Sequence, residues 1–178
     1  TGFAPSNELE SAMIRTLEPG FYGVVLTGNG DGTGVAVVEV YDLSGSANSL
    51  LANISTRGFV TTNDNVMIAG FVIGGTGHGG TTVVIRGIGP SLQQIIPDAM
   101  TDPRFDLYDA NGNLLAESND RPDDFKEVYI RATGLLPADD REAALYLSLP
   151  AGNYTALLRG ADSSVTGTAI IEVYDVGH

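Results

Sequence analysis

Apolar and polar residues alternate along this chain in short runs. Gly, Asn, Asp and Pro interrupt the runs at intervals of about 8 to 12 residues, the rhythm of an all-β sandwich or barrel. The pattern predicts strands over 11–17, 20–28, 34–42, 50–59, 65–73, 81–88, 104–109, 113–118, 126–131, 143–149, 152–160 and 167–176. In the last of these, Ala169, Ile171 and Val173 share one face and Ile170, Glu172 and Tyr174 the other, so Glu172 marks the wetter side. In the strand before it Tyr154, Ala156 and Leu158 point inward. Ala110-Asn111-Gly112-Asn113 separates two strand patterns, and Asn-Gly supplies the positive φ angles of a two-residue hairpin turn. Helical signals are confined to a turn or two at 91–96, after Gly89-Pro90, and another at 137–142. The fold class expected is all-β, an antiparallel β-sandwich built either as one large sandwich or as two small six-stranded ones.

Residues 10–43 return in weakened form as 142–176. Leu17, Gly20, Tyr22, Leu26 and Gly28 match Leu149, Gly152, Tyr154, Leu158 and Gly160. After a one-residue insertion, Thr33, Gly34, Ala36, Glu39, Val40, Tyr41 and Asp42 fall on Thr166, Gly167, Ala169, Glu172, Val173, Tyr174 and Asp175. A three-strand element is therefore present twice, with Tyr22, Val24 and Leu26 expected inward like their counterparts. Duplicated supersecondary units stack or pair because one copy cannot bury its own apolar face. The organisation expected is a partial repeat unit at 1–43, a small polar linker at 44–49 and a complete unit at 50–178. An alternative seam runs over 97–103, with six predicted strands on either side.

At 178 residues and 43% hydrophobic, the chain can bury a real core. Twenty-two acidic against nine basic residues give a net charge of −13, which repels nucleic-acid phosphates and anionic membrane surfaces, so neither is an expected partner. No apolar run reaches the roughly 20 residues of a membrane-spanning helix, so membrane insertion is not expected either. With no cysteine, disulfides and thiolate chemistry are ruled out. The chain begins at Thr1 rather than Met, as it would after removal of a signal peptide or after trimming. Asn53-Ile54-Ser55 and Asn153-Tyr154-Thr155 have the form of glycosylation sequons, a three-residue pattern that also arises by chance.

Candidate chemistry is sparse. Gly75-Thr76-Gly77-His78-Gly79-Gly80 has the spacing of a dinucleotide loop, but a strand rather than a helix is predicted to follow, so it reads as a hairpin loop. His78 has no orienting partner nearby, and the other histidine is His178. Asp109, Asn111, Asn113, Glu117 and Asp120 space like a calcium loop, with Leu114 where its glycine belongs, which favours the hairpin. A different calcium site is suggested by Asn119, Asp120, Asp123 and Asp124, whose carboxylates crowd one loop and repel one another without a cation. A solvated acidic loop is the simpler account of the same residues. Tyr22, Tyr41, Tyr154 and Tyr174 could form a sugar-stacking platform, but alternation assigns Tyr22 and Tyr154 to the core.

Ile54-Ser55-Thr56-Arg57-Gly58, Asn65-Val66-Met67-Ile68-Ala69-Gly70-Phe71, Arg86-Gly87-Ile88-Gly89-Pro90-Ser91-Leu92 and Glu172-Val173-Tyr174-Asp175 together resemble a β-rich repeat of large secreted bacterial surface proteins. The resemblance spans nearly the whole chain and carries no catalytic residues over. In that family a unit ends on the Val-Tyr-Asp strand, so this chain resembles the end of one unit followed by one whole unit. The stretch 105–176 also looks, more loosely, like the pre-peptidase C-terminal β-sandwich, an accessory domain of secreted enzymes. These resemblances imply an extracellular or cell-surface setting. The function expected is a non-enzymatic subunit that self-assembles with its own copies, head to tail, into a filament, surface layer or adhesive stalk. The alternative is a calcium- or glycan-binding module of a larger secreted enzyme or adhesin.

Overall fold

The computed structural model describes residues 2–30, 32–44, 50–62, 65–74, 79–121 and 125–177. The chain divides into two units, Thr1–Tyr41 and Asp42–His178. All strands formed among the described residues lie in the second unit: β1 (Asn53–Val60), β2 (Met67–Ile73), β3 (Thr81–Ile88), β4 (Pro103–Asp109), β5 (Leu114–Ser118), β6 (Ala143–Leu149), β7 (Gly152–Gly160) and β8 (Gly167–Asp175). They make two four-stranded antiparallel sheets, ordered β1-β8-β3-β6 and β2-β7-β4-β5. The fold is an antiparallel β-sandwich.

The core lies between the sheets and follows the predicted alternation. Ile85, Ala169 and Ile171 from the first sheet meet Phe105, Leu107, Ala156 and Leu158 from the second, all sealed from solvent. Burying such side chains is the main stabilising term, at about 1.5–3 kcal/mol each. Each sheet mixes strands from both sides of 97–103, because β3 pairs with β6 and β8 and β2 pairs with β7. Two small sandwiches are therefore ruled out. Residues 97–103 are stitched into the single sandwich: Met100 is fully buried, its N–H donates to Thr168 O at 2.8 Å, and Thr168 N–H donates to Asp98 O at 2.8 Å.

The strand predicted over 126–131 is instead a helix, α1 (Phe125–Ala132). Its Val, Tyr and Ile favour strand locally, but Glu127 pairs with Arg131 one turn on, and the helix end carries a full Schellman cap. Gly134 takes φ 76°, its N–H donates to Arg131 O at 3.0 Å, and Leu135 N–H donates to Ile130 O at 3.3 Å. The helix covers the outer face of the first sheet, where Ile130 packs with Val84 and Ala144. Glu172, expected on a wetter face, is thereby largely shielded and pairs with Arg86, whose guanidinium also donates to Leu135 O at 3.0 Å.

The β4–β5 hairpin forms where Asn111-Gly112 predicts it, with a three-residue loop rather than two. Gly112 N–H donates to Asp109 O at 3.0 Å and Asp109 N–H donates to Asn113 O at 3.0 Å, which leaves Gly112 at φ 78° as the left-handed closing residue. The Asp109 carboxylate accepts from the N–H groups of Asn111 and Asn113, at 2.8 and 2.9 Å. These bonds hold its pKa below the ordinary aspartate value, the side-chain bond from Asn113 being the largest cause. Asp109, Asn111 and Asn113 are thus a hairpin, as the sequence favoured.

Residues 11–17, 20–28 and 34–42, expected as strands, form none. Among the described residues they pair with no strand. Among the described residues of 2–44, the backbone hydrogen bonds are Glu10 N–H to Asn7 O at 3.1 Å and Gly32 N–H to Asn29 O at 3.4 Å.

Candidate functional site

The two copies of the repeated element share local geometry although only one lies in a sheet. In the body, Tyr154 on β7 turns its hydroxyl back to donate to Pro150 O at 2.8 Å, a tyrosine corner. Tyr22 does the same, donating to Glu18 O at 2.6 Å. In both places the tyrosine hydroxyl lies beside the glycine two residues earlier, Gly20 or Gly152. The next corner repeats as well. A Cβ on Gly160 would collide with Val165 O, and a Cβ on Gly28 would collide with Gly32 O, the matching carbonyl. The turn bonds agree: Val165 N–H to Asp162 O at 3.3 Å, and Gly32 N–H to Asn29 O at 3.4 Å.

Surroundings separate the copies. Tyr154 is 6% exposed and Tyr22 59%, Leu158 0% and Leu26 52%, Ile171 1% and Val38 49%, Val173 6% and Val40 53%. The expectation that Tyr22 is core is therefore overturned. Tyr154 stacks on Phe71 of β2 with ring centroids 5.5 Å apart. The exposed apolar residues of 10–42, which match in sequence the residues buried on β7 and β8, are the candidate site. Met13, Ile14, Leu17, Phe21 and Val25 extend it.

A second feature belongs to the same comparison and was not read from the sequence. Glu142, just before β6, is fully buried. Its Oε1 accepts from Gly89 N–H at 3.2 Å, Ser91 N–H at 2.9 Å and Ser91 Oγ–H at 2.6 Å, and its Oε2 accepts from Asp139 N–H at 3.3 Å. A buried carboxylate persists only when its oxygens are satisfied in this way. Here it clamps the Gly89-Pro90-Ser91 turn after β3. Its counterpart in the first copy is Glu10, on an exposed stretch.

Of the predicted calcium residues, Asp123 and Asp124 lie outside the described residues, as do His78, His178 and most of the glycine-rich loop and the 44–49 linker. Asn119 donates its amide to Asp120 Oδ2 at 3.0 Å, and the Asp120 backbone carbonyl accepts from Ser118 Oγ–H at 3.2 Å. Among the described residues no group of three or more histidines, aspartates and glutamates is gathered to hold a metal ion. Thr81 opens β3, so the glycine run leads into a strand, contrary to a dinucleotide fingerprint. No described helix is long and apolar enough to cross a membrane.

No family model matches the chain, and no curated protein matches it. Among solved structures it is similar to the crystal structure of the pre-peptidase C-terminal domain of a collagenase from Bacillus anthracis, with a TM-score of 0.43 and 13% sequence identity, over 68% of this chain and 88% of that one.

Proposed function

We propose that this chain is a non-enzymatic structural unit of an extracellular assembly, in which β-sandwiches of its own kind are joined head to tail into a filament, surface layer or adhesive stalk by residues 10–42. One observation carries the reading: the side chains buried on β7 and β8 have counterparts in 10–42 that stand in solvent, although both segments carry the same tyrosine corner. Covering them on a neighbouring sheet supplies main-chain hydrogen bonds together with apolar burial. A docking segment at one end of a unit makes a heterologous contact, which propagates when its rotation does not close. The extracellular setting is supported by the resemblance of Ile54-Ser55-Thr56-Arg57-Gly58 and the later motifs to repeats of secreted surface proteins.

The test compares the full chain with one starting at Ser49, by sedimentation and electron microscopy. The shortened chain is expected to keep its fold and lose the higher-order species of the full chain. Identical behaviour of the two would remove the reading.

A further inference from the structure

Resting on the structural reading above, we propose that residues 10–42 close a β-sandwich that lacks its own last three strands, entering at the centre of both sheets rather than adding at an edge. In the body the corresponding residues are β6, β7 and β8. β7 lies between β2 and β4, and β8 between β1 and β3, so each is hydrogen-bonded on both sides. The corner joining them passes the chain from one sheet to the other. The two arms of the first copy, 20–28 and 34–42, leave an equivalent corner. They are therefore aimed at two different sheets and are not built to pair with each other as a hairpin. Addition at an outer edge would engage one arm along one side and leave the inward set of the other arm in water.

Glu10 defines the acceptor further. At the matching position, the Glu142 carboxylate is held by two backbone N–H groups and the serine hydroxyl of the Gly89-Pro90-Ser91 turn. The acceptor accordingly carries such a turn after its third strand. The acceptor is a body of this same repeat type whose β7 and β8 positions stand open, with strands equivalent to β1–β5 and a Gly-Pro-Ser turn.

The experiment is a full chain in which residues 142–176 are replaced by a second copy of residues 10–43. The expected product folds cooperatively. Half of its Tyr22-type tyrosine reacts with tetranitromethane as fast as Tyr22 in the native chain, and half reacts at least about tenfold more slowly, as a residue reached only by unfolding. Replacing the second copy's glutamate, in the manner of Glu10→Gln, should then lower the melting temperature as Glu142→Gln does in the native chain. An unfolded product, or one whose tyrosines all react at the fast rate, overturns the central-slot proposal. If native full chains still associate through residues 10–42 while the exchanged chain is unfolded, the head-to-tail reading stands and only this slot assignment falls.

Discussion

Residues 17–42 and 149–175 trace the same tyrosine corner and the same glycine turn, yet the first set faces water and the second builds the centre of two sheets. Local sequence is therefore sufficient for the corners. A Gly-x-Tyr and a glycine before a tight turn fix them through contacts within a few residues. Strands differ, because their hydrogen bonds and apolar partners come from residues far away in sequence. Matching side chains are buried on β7 and β8, between β1–β4, and exposed in 20–42.

The sharpest way to break the comparison is to truncate matched residues. Tyr154→Ala or Leu158→Ala should destabilise the body by about 3 kcal/mol or more, whereas Tyr22→Ala or Leu26→Ala in the native chain should stay within about 0.5 kcal/mol. Chemical denaturation of the four variants checks this, and equal losses at the two sites would refute the contrast. Glu142→Gln should cost about 2 kcal/mol, since it weakens charge-assisted bonds to the Gly89-Pro90-Ser91 turn, while Glu10→Gln changes nothing in the native chain alone. Gly160→Ala drives a methyl into the Val165 carbonyl and should cost roughly 1–2 kcal/mol, with Gly28→Ala silent in the body's unfolding transition.

The smallest effect concerns Asp102, whose carbonyl accepts from Ala161 N–H at 2.9 Å at the β7–β8 corner. Its carboxyl has one buried oxygen without a partner and a raised pKa, chiefly from burial. A carboxyl raised in the folded state favours folding below its ordinary value and loses that contribution as pH rises through the raised one. Asp102→Asn should therefore raise the melting temperature by about a degree at neutral pH, with the gain vanishing below about pH 4. A gain that is flat with pH would assign the effect to shape rather than charge.

Most of the sandwich was legible from alternation and turn residues: seven of the eight strands lie within two residues of their predicted bounds, and β1 begins three residues late. Residues 126–131 misled because Val128, Tyr129 and Ile130 favour a strand, and the Thr133-Gly134-Leu135 cap was the overlooked signal. Residues 11–42 misled for the opposite reason, since their strand pattern is genuine but supplies no partner strand. The clamp at Glu142 was invisible as chemistry, because a lone glutamate before a strand says nothing of a turn some fifty residues upstream. The repeat carried a faint trace of it, in the pairing of Glu10 with Glu142.

The position of β8 also governs how the body can fold. Asn53 Nδ2 bonds Val173 O across 120 residues of sequence, and β7 and β8, the last strands made, must enter the middle of both sheets. Contacts of such long range make folding slow, and β1–β4 stay open at their centres until the final residues arrive. During synthesis residues 20–42 emerge before any of these strands, so the unfinished body meets an early competitor for its gaps. The folding rate, more than the final stability, is where the duplicated element should exact its cost.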